Sequence, residues 1–527
     1  MRGAVLTPVA VALGSNVGDR ATLLHRAVRL LANRGVLEPQ SLVTSSLYET
    51  APLYVSDQPR FLNAALRANT SLSPRELLRA LKAVESDLGR DFAGLRYGPR
   101  PIDLDVIFYG DATLSLPEVD DAPGGGAFTI PHPRFHERGF VLAPLDDLLP
   151  WRATTRPPSP DATALGLAPP AAAADTDGLD ARLHDARAKY RRGGFAHGPD
   201  LRRVFALPVP VGAGDALVWP LGVRTYVMGV LNVTPDSFSD GGVHEAADAA
   251  LSQAHAMARD GADIVDVGGQ STRPGAATLD AEQEWERVAP VLDALMRDPP
   301  CLRDDHPFTP GAPVPISVDT FHGTVAERAA SLGCALLNDV AGGVPWGWRT
   351  GETSATLHDS PAHTAGACDD RPLAYALMHM RGTPATMQND EMLRYPGDDV
   401  AGGVGDELAM LCRHAMQRHG VEAWRLVLDP GIGFAKTGQG NWDIIRNIAR
   451  IRSRLPYGAL RNAPFLLGPS RKGFLGALTG RLAPERDVAT AAAIAACVQG
   501  GADIVRAHNV AAARDACLVA DRVWRAP

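Results

Sequence analysis

The chain has 527 residues, 45% of them hydrophobic and 21% charged, with a formal net charge of −8. That length is enough for two or more cores, and the mildly acidic balance gives no bulk electrostatic reason to expect a nucleic acid or a membrane surface as partner. No apolar run approaches the roughly 20 residues that a membrane-spanning helix needs. The six cysteines (Cys301, Cys334, Cys368, Cys412, Cys497 and Cys517) form no C-x-x-C and all lie in the second half. That suits reduced thiols better than a disulfide framework or a zinc site. The opening "MRGAVLTPVAVALGSN" runs almost directly into a strand and lacks the long apolar core of a secretory signal. The expected compartment is the cytoplasm, with the mitochondrion as the alternative.

Residues 1–155 mix strands and helices. "VAVALGSN" reads as a strand, and "DRATLLHRAVRLLANRG" as a helix with Asp19 near its start and Gly35 past its end. "LVTSSLYET" and "FLNAALRAN" read as strands. "SPRELLRALKAVESDLGR" is a helix opened by a capping box of Ser73 and Glu76, with Pro74 in its first turn. Next comes "RPIDLDVIFYG", residues 100–110, a strand in which Ile102, Leu104, Val106 and Phe108 alternate with other residues. Asp103 and Asp105 then share a face, where like charges repel. A solvated face is the commoner reason for an isolated D-x-D, and a divalent cation between the carboxylates is the sharper one. "RGFVLAPLDDLLP" looks helical and completes an α+β, ferredoxin-like sandwich.

Residues 156–205 differ. "RPPSPDATALGLAPPAAAADTDG" is rich in Pro and Ala and lacks aromatics, which reads as a linker too flexible to fix the geometry of what it joins. "LDARLHDARAKYRRGG" reads as a short exposed helix. From residue 206 onward, eight short apolar strands alternate with helices: "TYVMGVLN", "ADIVDVGG", "PISVDT", "ALLNDVAG", "AYALMHM", "WRLVLDPG", "PFLLGPS" and "ADIVRAHN". Eight such units predict an α/β (β/α)8 TIM barrel, with an open doubly wound sheet as the alternative. Residues 298–313 and 345–371 read as loop insertions, and no helix is legible between the fourth and fifth strands.

In such a barrel the chemistry sits at the C-terminal ends of the strands. Those ends carry Asn232, Gly269 to Arg273, Asp319, Asn338, His379, Asp429, Ser470 to Lys472, and Arg506 to His508. Turn and cap residues account for one or two polar strand ends, not for eight. Arg273, Arg471, Lys472, Arg506 and His508 supply donors suited to phosphate oxygens. Asp319, Asn338 and Asp429 supply groups that hydrogen-bond the edge of a flat heterocycle.

"GVLNVTPDSFSDGG", "GGQSTRPG", "SVDT", "NDVAGG", "LMHMRGTPATM", "LDPGIGFAKT", "GPSRKGFLG" and "RAHNV" occur in order across residues 222–520. Together they resemble dihydropteroate synthase. The resemblance implies a pterin pocket using Asp319, Asn338, Asp429 and Lys472, and a pyrophosphate and Mg²⁺ site using Asn232, Arg506 and His508. It places Thr272, Arg273, Pro274, Phe434 and Ser470 around p-aminobenzoate and implies a homo-oligomer formed through the barrel. Gln270 and "RAHN" depart from the Glu and "RVHD" common in relatives.

In the first domain, "RYGPRPIDLDVI", "ALGSNVGD", "YETAPL", "FLNAAL", "IPHPRF" and "RGFVLAPL" resemble 6-hydroxymethyl-7,8-dihydropterin pyrophosphokinase over residues 9 to about 150. This implies that Asp103 and Asp105 hold Mg²⁺ bridging the phosphates of ATP. Arg90, Arg96 and Arg100 would neutralise phosphate charge, His132 and Arg138 would contact ATP, and Glu85 would support the nucleotide side. Phe61 and Phe140 would sandwich the pterin, with Asn63 and the backbone near Thr50 and Leu53 reading its edge. Phe92 departs from the Arg that bacterial relatives often carry. Alternatives are a synthase whose first domain only binds ligand, and a pterin barrel that carries methyl groups.

Overall fold

The computed structural model describes residues 5–95, 97–116, 128–150, 178–193, 200–210, 214–233, 243–344, 360–368 and 370–525. The Pro/Ala-rich part of the expected linker, Arg96, all of "DSFSDGG" and residues 345–359 lie outside them.

The first half forms around an antiparallel sheet built from β1 (Thr7–Ser15), β2 (Val43–Thr44), β3 (Leu47–Thr50), β4 (Phe61–Thr70) and β5 (Asp103–Tyr109). β1 lies between β4 and β5, and β3 pairs the far side of β4. Helices Arg20–Asn33 and Pro74–Asp87 start where the sequence signals them. Asp19 accepts from Thr22 N in one, and the Ser73–Glu76 capping box closes the other. Alternation along β1 sends Val9, Val11 and Leu13 into a core with Leu24, Leu31 and Leu81 from these helices. Ala10 faces the opposite core with Ala65, Leu142 and Leu145. The D-x-D strand is less regular than its pattern. Ala10 pairs Phe108 but Val11 pairs Val106, so Ile107 is an extra residue and Phe108 turns into the second core. A small ribbon follows, β6 (Leu114–Leu116) with β7 (Phe128–Ile130).

The sheet does not end with the first 155 residues. β8 (Arg202–Leu207) pairs antiparallel with β3, and β9 (Leu217–Pro220) pairs with β8. The barrel half was expected to begin at residue 206; its first strand is the expected "TYVMGVLN", but Arg202–Leu207 and Leu217–Pro220 ahead of it belong to the first sheet. Helix Leu179–Arg192 is not a free exposed helix either. Leu179, Leu183 and Ala186 are buried, and Arg67 and Arg187 pair with Asp180 and Asp146 to fasten it.

The second half is the expected parallel barrel. Its strands are β10 (Tyr226–Asn232), β11 (Ile264–Gly268), β12 (Ile316–Asp319), β13 (Leu336–Asp339), β14 (Ala374–Met378), β15 (Leu426–Asp429), β16 (Leu466–Leu467) and β17 (Ile504–Ala507). They run in the order β15-β14-β13-β12-β11-β10-β17-β16, and a parallel bridge from Leu428 to Phe465 joins the two ends. The helix missing between the fourth and fifth strands is the short Pro361–Ala367, capped by Ser360.

The two halves meet through a buried polar joint. His25 faces the Glu422 carboxylate from Nδ1 at 2.9 Å and the Cys368 carbonyl from Nε2 at 2.7 Å. Both neighbours accept, so the ring donates from both nitrogens. Arg425 donates to the other Glu422 oxygen at 2.7 Å, and Ala423 N donates to Thr44 Oγ1 at 2.9 Å. Trp424 lies in the first domain's core. On the other side, Asp147 accepts from Tyr48, Ser46 N and Asn462. The linker is therefore not what sets the relation between the halves.

Burial alone would raise the Glu422 carboxyl, but His25 and Arg425 outweigh it and hold it well below the ordinary glutamate range. Its stabilisation is complete above the unfolded-state pKa and is lost as pH falls toward the native value. Glu422→Gln is expected to cost about 3–5 kcal/mol at neutral pH, as for other broken buried pairs. Thermal melting checks this: the gap between variant and parent should narrow as the pH is taken below about 4.

Candidate active sites

In the first domain, strand register assembles the site. Tyr48 pairs Asn63, Asn63 pairs Gly14, and Gly14 pairs Asp103, so these residues form a row across four strands. Directly opposed residues share a face, and Phe61 and Asp105 join it two positions along. Asn63 donates to Thr50 Oγ1 at 2.9 Å and to the Tyr48 carbonyl at 3.3 Å, which fixes its amide. Leu53 is half-buried on the loop that follows Thr50.

Asp103 pairs with Arg90 and, at 2.9 Å, with Arg100. Burial would raise its carboxyl, but Arg100 and Arg90 pull it well below the ordinary carboxylate range, so it stays ionised. Arg100 lies over the Phe61 ring at 5.3 Å and Arg138 over Phe140 at 5.7 Å, which gathers cations around the two rings. Burial lowers the His132 pKa, against the pull of Asp105, so the ring is neutral near pH 7. Glu85 is fully buried beneath the site. It accepts from Leu104 N at 2.6 Å and pairs with Lys82 and Arg90, so it reaches the site through Arg90. Phe92 lies under the Arg90 guanidinium at 5.3 Å.

Sequence reasoning missed Asp200. It precedes β8 and accepts from Ala51 N at 2.7 Å and from Arg60 at 3.1 Å, bracing the loop after Thr50. No local pattern marks it, because the contact exists only once β8 adds to the sheet.

In the barrel, Arg506 is the central cation. Its Nε donates to Asp266 and another guanidinium nitrogen donates to Asp319, both at 2.7 Å. Asn338 donates to the same Asp266 oxygen at 3.0 Å. Asp266 was not among the predicted residues. Its signal was a charged residue inside the apolar run "ADIVDVGG", where a parallel strand is buried on both faces. Lys472 lies over the Phe434 ring at 4.1 Å. Ser470 Oγ accepts from His508 N at 3.1 Å and meets His508 Nδ1 at 3.0 Å. Thr272, Arg273 and Pro274 lie on the loop after β11, where Gly275 N donates to the Pro384 carbonyl at 2.9 Å. Asn232 ends β10 and is half-buried. Arg471 is committed to Asp487 through two hydrogen bonds. Gln270 accepts from Leu279 N at 3.2 Å and holds the loop between them.

Burial sets the charges here. It lifts Asp319 to about 7, helped by Asp266 against Arg506, and lifts Asp429 to about 6 against the Gly431 N–H bond and Lys472. Burial and Arg506 lower Lys472 to about 8. Burial with Arg506, Arg471, Lys472 and Arg273 lowers His508 to about 4, so its ring is neutral near pH 7. A ring of half-paired carboxylates beside a cluster of cations suits a polar heterocycle that carries an anionic group.

The two clusters define a two-domain enzyme with an anion-handling centre in each half. Residues 10–150 match the family model for 7,8-dihydro-6-hydroxymethylpterin-pyrophosphokinase, and residues 228–508 match the model for pterin binding enzymes. A "Folate synthesis bifunctional protein, mitochondrial" of Arabidopsis thaliana is 41% identical over 98% of this chain and 83% of its own length. The protein of the same name in Pisum sativum is also 41% identical, over 98% of this chain and 89% of its own. A Plasmodium falciparum HPPK-DHPS crystallised with pteroate shares the fold, with a TM-score of 0.69 at 17% identity over 98% of each chain. The chain belongs to the family of bifunctional folate-synthesis enzymes, with a hydroxymethyldihydropterin pyrophosphokinase domain followed by a dihydropteroate synthase domain. Likeness along nearly the whole chain favours two activities over a synthase with a merely binding first domain, and over a methyl carrier.

For the synthase, kcat/KM is expected to rise as Asp319 and Asp429 ionise and to fall as Lys472 loses its proton, peaking between about 7 and about 8. Asp266→Asn removes a negative neighbour that raises Asp319. The acidic limb of the pH–rate profile should therefore move to lower pH.

Proposed function

We propose that the first domain transfers pyrophosphate from ATP to 6-hydroxymethyl-7,8-dihydropterin, and that the barrel condenses the product with p-aminobenzoate to give 7,8-dihydropteroate and pyrophosphate. The observation that carries this is the pairing within one chain of the Asp103–Arg90–Arg100 cluster with the Asp266–Arg506–Asp319 cluster. What the first makes, a pterin bearing pyrophosphate, has the two chemical ends that the second is built to hold.

In the first step the pterin lies between Phe61 and Phe140, its edge read by Asn63 and by the backbone of Thr50 and Leu53. Among the described residues no three His, Cys, Asp or Glu side chains converge as a metal cage. A D-x-D whose Asp103 is held ionised still fits Mg²⁺, which keeps several ligands from water and phosphate. Asp103 and Asp105 would hold it, and the ion would neutralise phosphate charge between ATP and the pterin hydroxyl. Arg90, Arg96, Arg100 and Arg138 take the remaining charge, His132 contacts ATP as a neutral ring, and Glu85 holds Arg90 in place.

In the barrel, Asp319, Asn338 and Asp429 accept from and donate to the pterin ring, and Lys472 closes one face. Arg506, His508 and the N-terminus of helix Val510–Trp524 stabilise departing pyrophosphate. Asn232 offers one amide oxygen, so a Mg²⁺ there would be held chiefly by pyrophosphate. The C–O bond to pyrophosphate breaks, a cationic centre develops at the pterin methylene, and the amine of p-aminobenzoate then attacks it and loses a proton, with no covalent protein intermediate. Thr272, Arg273, Pro274, Phe434 and Ser470 surround it.

Asp103→Asn or Asp105→Asn is expected to cut AMP formation on the order of a thousandfold while sparing the synthase. A mixture of hydroxymethyldihydropterin, ATP, Mg²⁺ and p-aminobenzoate should then yield dihydropteroate only when pyrophosphorylated pterin is added. Unchanged AMP formation would refute the metal assignment.

A second copy of the chain is the proposed partner. Val488, Leu518, Val519, Val523 and Trp524 are exposed on the adjacent helices Asp487–Gln499 and Val510–Trp524, an apolar face suited to a two-fold contact. Leu518→Arg with Val519→Arg is expected to give monomers by light scattering with pyrophosphokinase activity intact. The mitochondrial names of two plant relatives support the mitochondrion over the cytoplasm. No helix among the described residues is long and apolar enough to cross a membrane.

A further inference from the structure

The loop after β15, residues 429–437, is held in an unusual shape. Gly431 and Gly433 have φ of 71° and 85°, and Ala435, which is not glycine, has φ of 48°. The positive φ favours glycine at 433, and a Cβ there would press on the Lys472 side chain, 2.9 Å from its Cδ. A left-handed alanine persists only where its surroundings over-determine it. Tyr395 OH donates to the Ala435 carbonyl at 3.2 Å, and Asn441 Oδ1 accepts from Gly433 N at 2.6 Å.

Gly431 N donates to Asp429 and Phe434 N to the Gly431 carbonyl, and further fastening comes from Lys436. Its Nζ donates to the Phe434 carbonyl at 2.8 Å and meets His379 Nδ1 at 3.2 Å. His379 Nε2 lies 2.8 Å from Glu407, which in turn pairs with Arg381, and Arg381 stacks on Tyr395 at 3.8 Å. Lys436 and His379 are both buried. Burial, with Lys436 beside it, keeps His379 neutral at about 3, so it accepts at Nδ1 and donates from Nε2 to the carboxylate. Burial lowers Lys436 itself to about 7, and among the described residues its hydrogen-bond contacts are a backbone carbonyl and a neutral imidazole rather than a carboxylate, an arrangement that stability alone does not call for.

We propose that Lys436 is a positioning residue for p-aminobenzoate: its side-chain nitrogen fixes the Phe434 carbonyl, and with it the Phe434 ring against Lys472, while His379 and Glu407 anchor Lys436 to β14 and to helix Val400–His419. This rests on the reading of Phe434 as part of the p-aminobenzoate pocket. The network sets how tightly the amine substrate is held; the pterin contacts Asp319 and Asn338 lie on other strands outside it, while Asp429 shares its loop and keeps its own bond from Gly431 N.

The test is steady-state kinetics of the full chain with pyrophosphorylated dihydropterin and p-aminobenzoate for Lys436→Met, Lys436→Arg and Phe434→Ala. Lys436→Met is expected to raise the KM for p-aminobenzoate about tenfold, the loss of one buried hydrogen bond, and to leave the KM for the pterin substrate within about twofold. Lys436→Arg, which keeps a donor, should recover most of the loss. If Phe434→Ala raises that KM and Lys436→Met does not, the proposal fails while the pocket stands. Equal losses for both substrates, with a lower melting temperature and no rescue by arginine, would reduce Lys436 to a structural part and also overturn it. An unchanged KM in Phe434→Ala would remove the pocket reading and this inference together. If Lys436→Met does not fold, His379→Phe removes the acceptor behind Lys436 and is read by the same KM comparison.

Discussion

The barrel's chemistry depends on one ion pair, Asp266 with Arg506. An unpaired guanidinium or carboxylate inside a barrel would be too costly to keep. Arg506 therefore has a fixed home on Asp266, and from there it reaches Asp319. Asn338 takes its orientation from the same aspartate. Lys472 and His508 are both lowered by burial and by Arg506 as neighbour. The first domain repeats the device: Asp103 remains ionised because Arg100 and Arg90 flank it. In each half, the group that meets ligand has its charge state set by a partner beneath it.

The same economy governs how the halves are joined. A carboxylate, an imidazole and a guanidinium meet in the dry contact between them, each satisfied by the others and by backbone carbonyls. Trp424 crosses from the barrel side into the first domain's core. Apolar burial supplies the attraction, and the ionic triad restricts which orientation can form, since any other leaves buried charge without a partner.

Much of this was legible in the sequence because it is local. Eight apolar strands ending in polar residues marked the barrel and its reactive rim. The Ser73–Glu76 box and the alternation of β1 marked the first domain, and Asp103 and Asp105 share a face because both precede the bulge at Ile107. What was not legible is pairing at a distance. "RRVFAL" and "LVWP" read as any apolar strand, and nothing in them says that they return to β3 rather than open the barrel. His25 and Glu422 lie 397 residues apart. Asp266 and Lys436 were visible as charges within apolar or glycine-rich runs, but Arg506 and Asn338, which meet the first, and His379, which meets the second, come from elsewhere in the barrel.

The return of β8 and β9 has a consequence for synthesis on the ribosome. β1 to β5 emerge first and can collapse around the two early helices, but the outer edge of β3 stays bare until residues 202–220 appear. Open strand edges recruit other strands, and nascent chains crowd one another on a polysome. The first domain must therefore wait, part-built, for a ribbon encoded just ahead of the barrel. A ribosome that stalls before that ribbon releases a sticky half-sheet, whereas one that stalls just after it releases a sheet whose β3 edge is already covered.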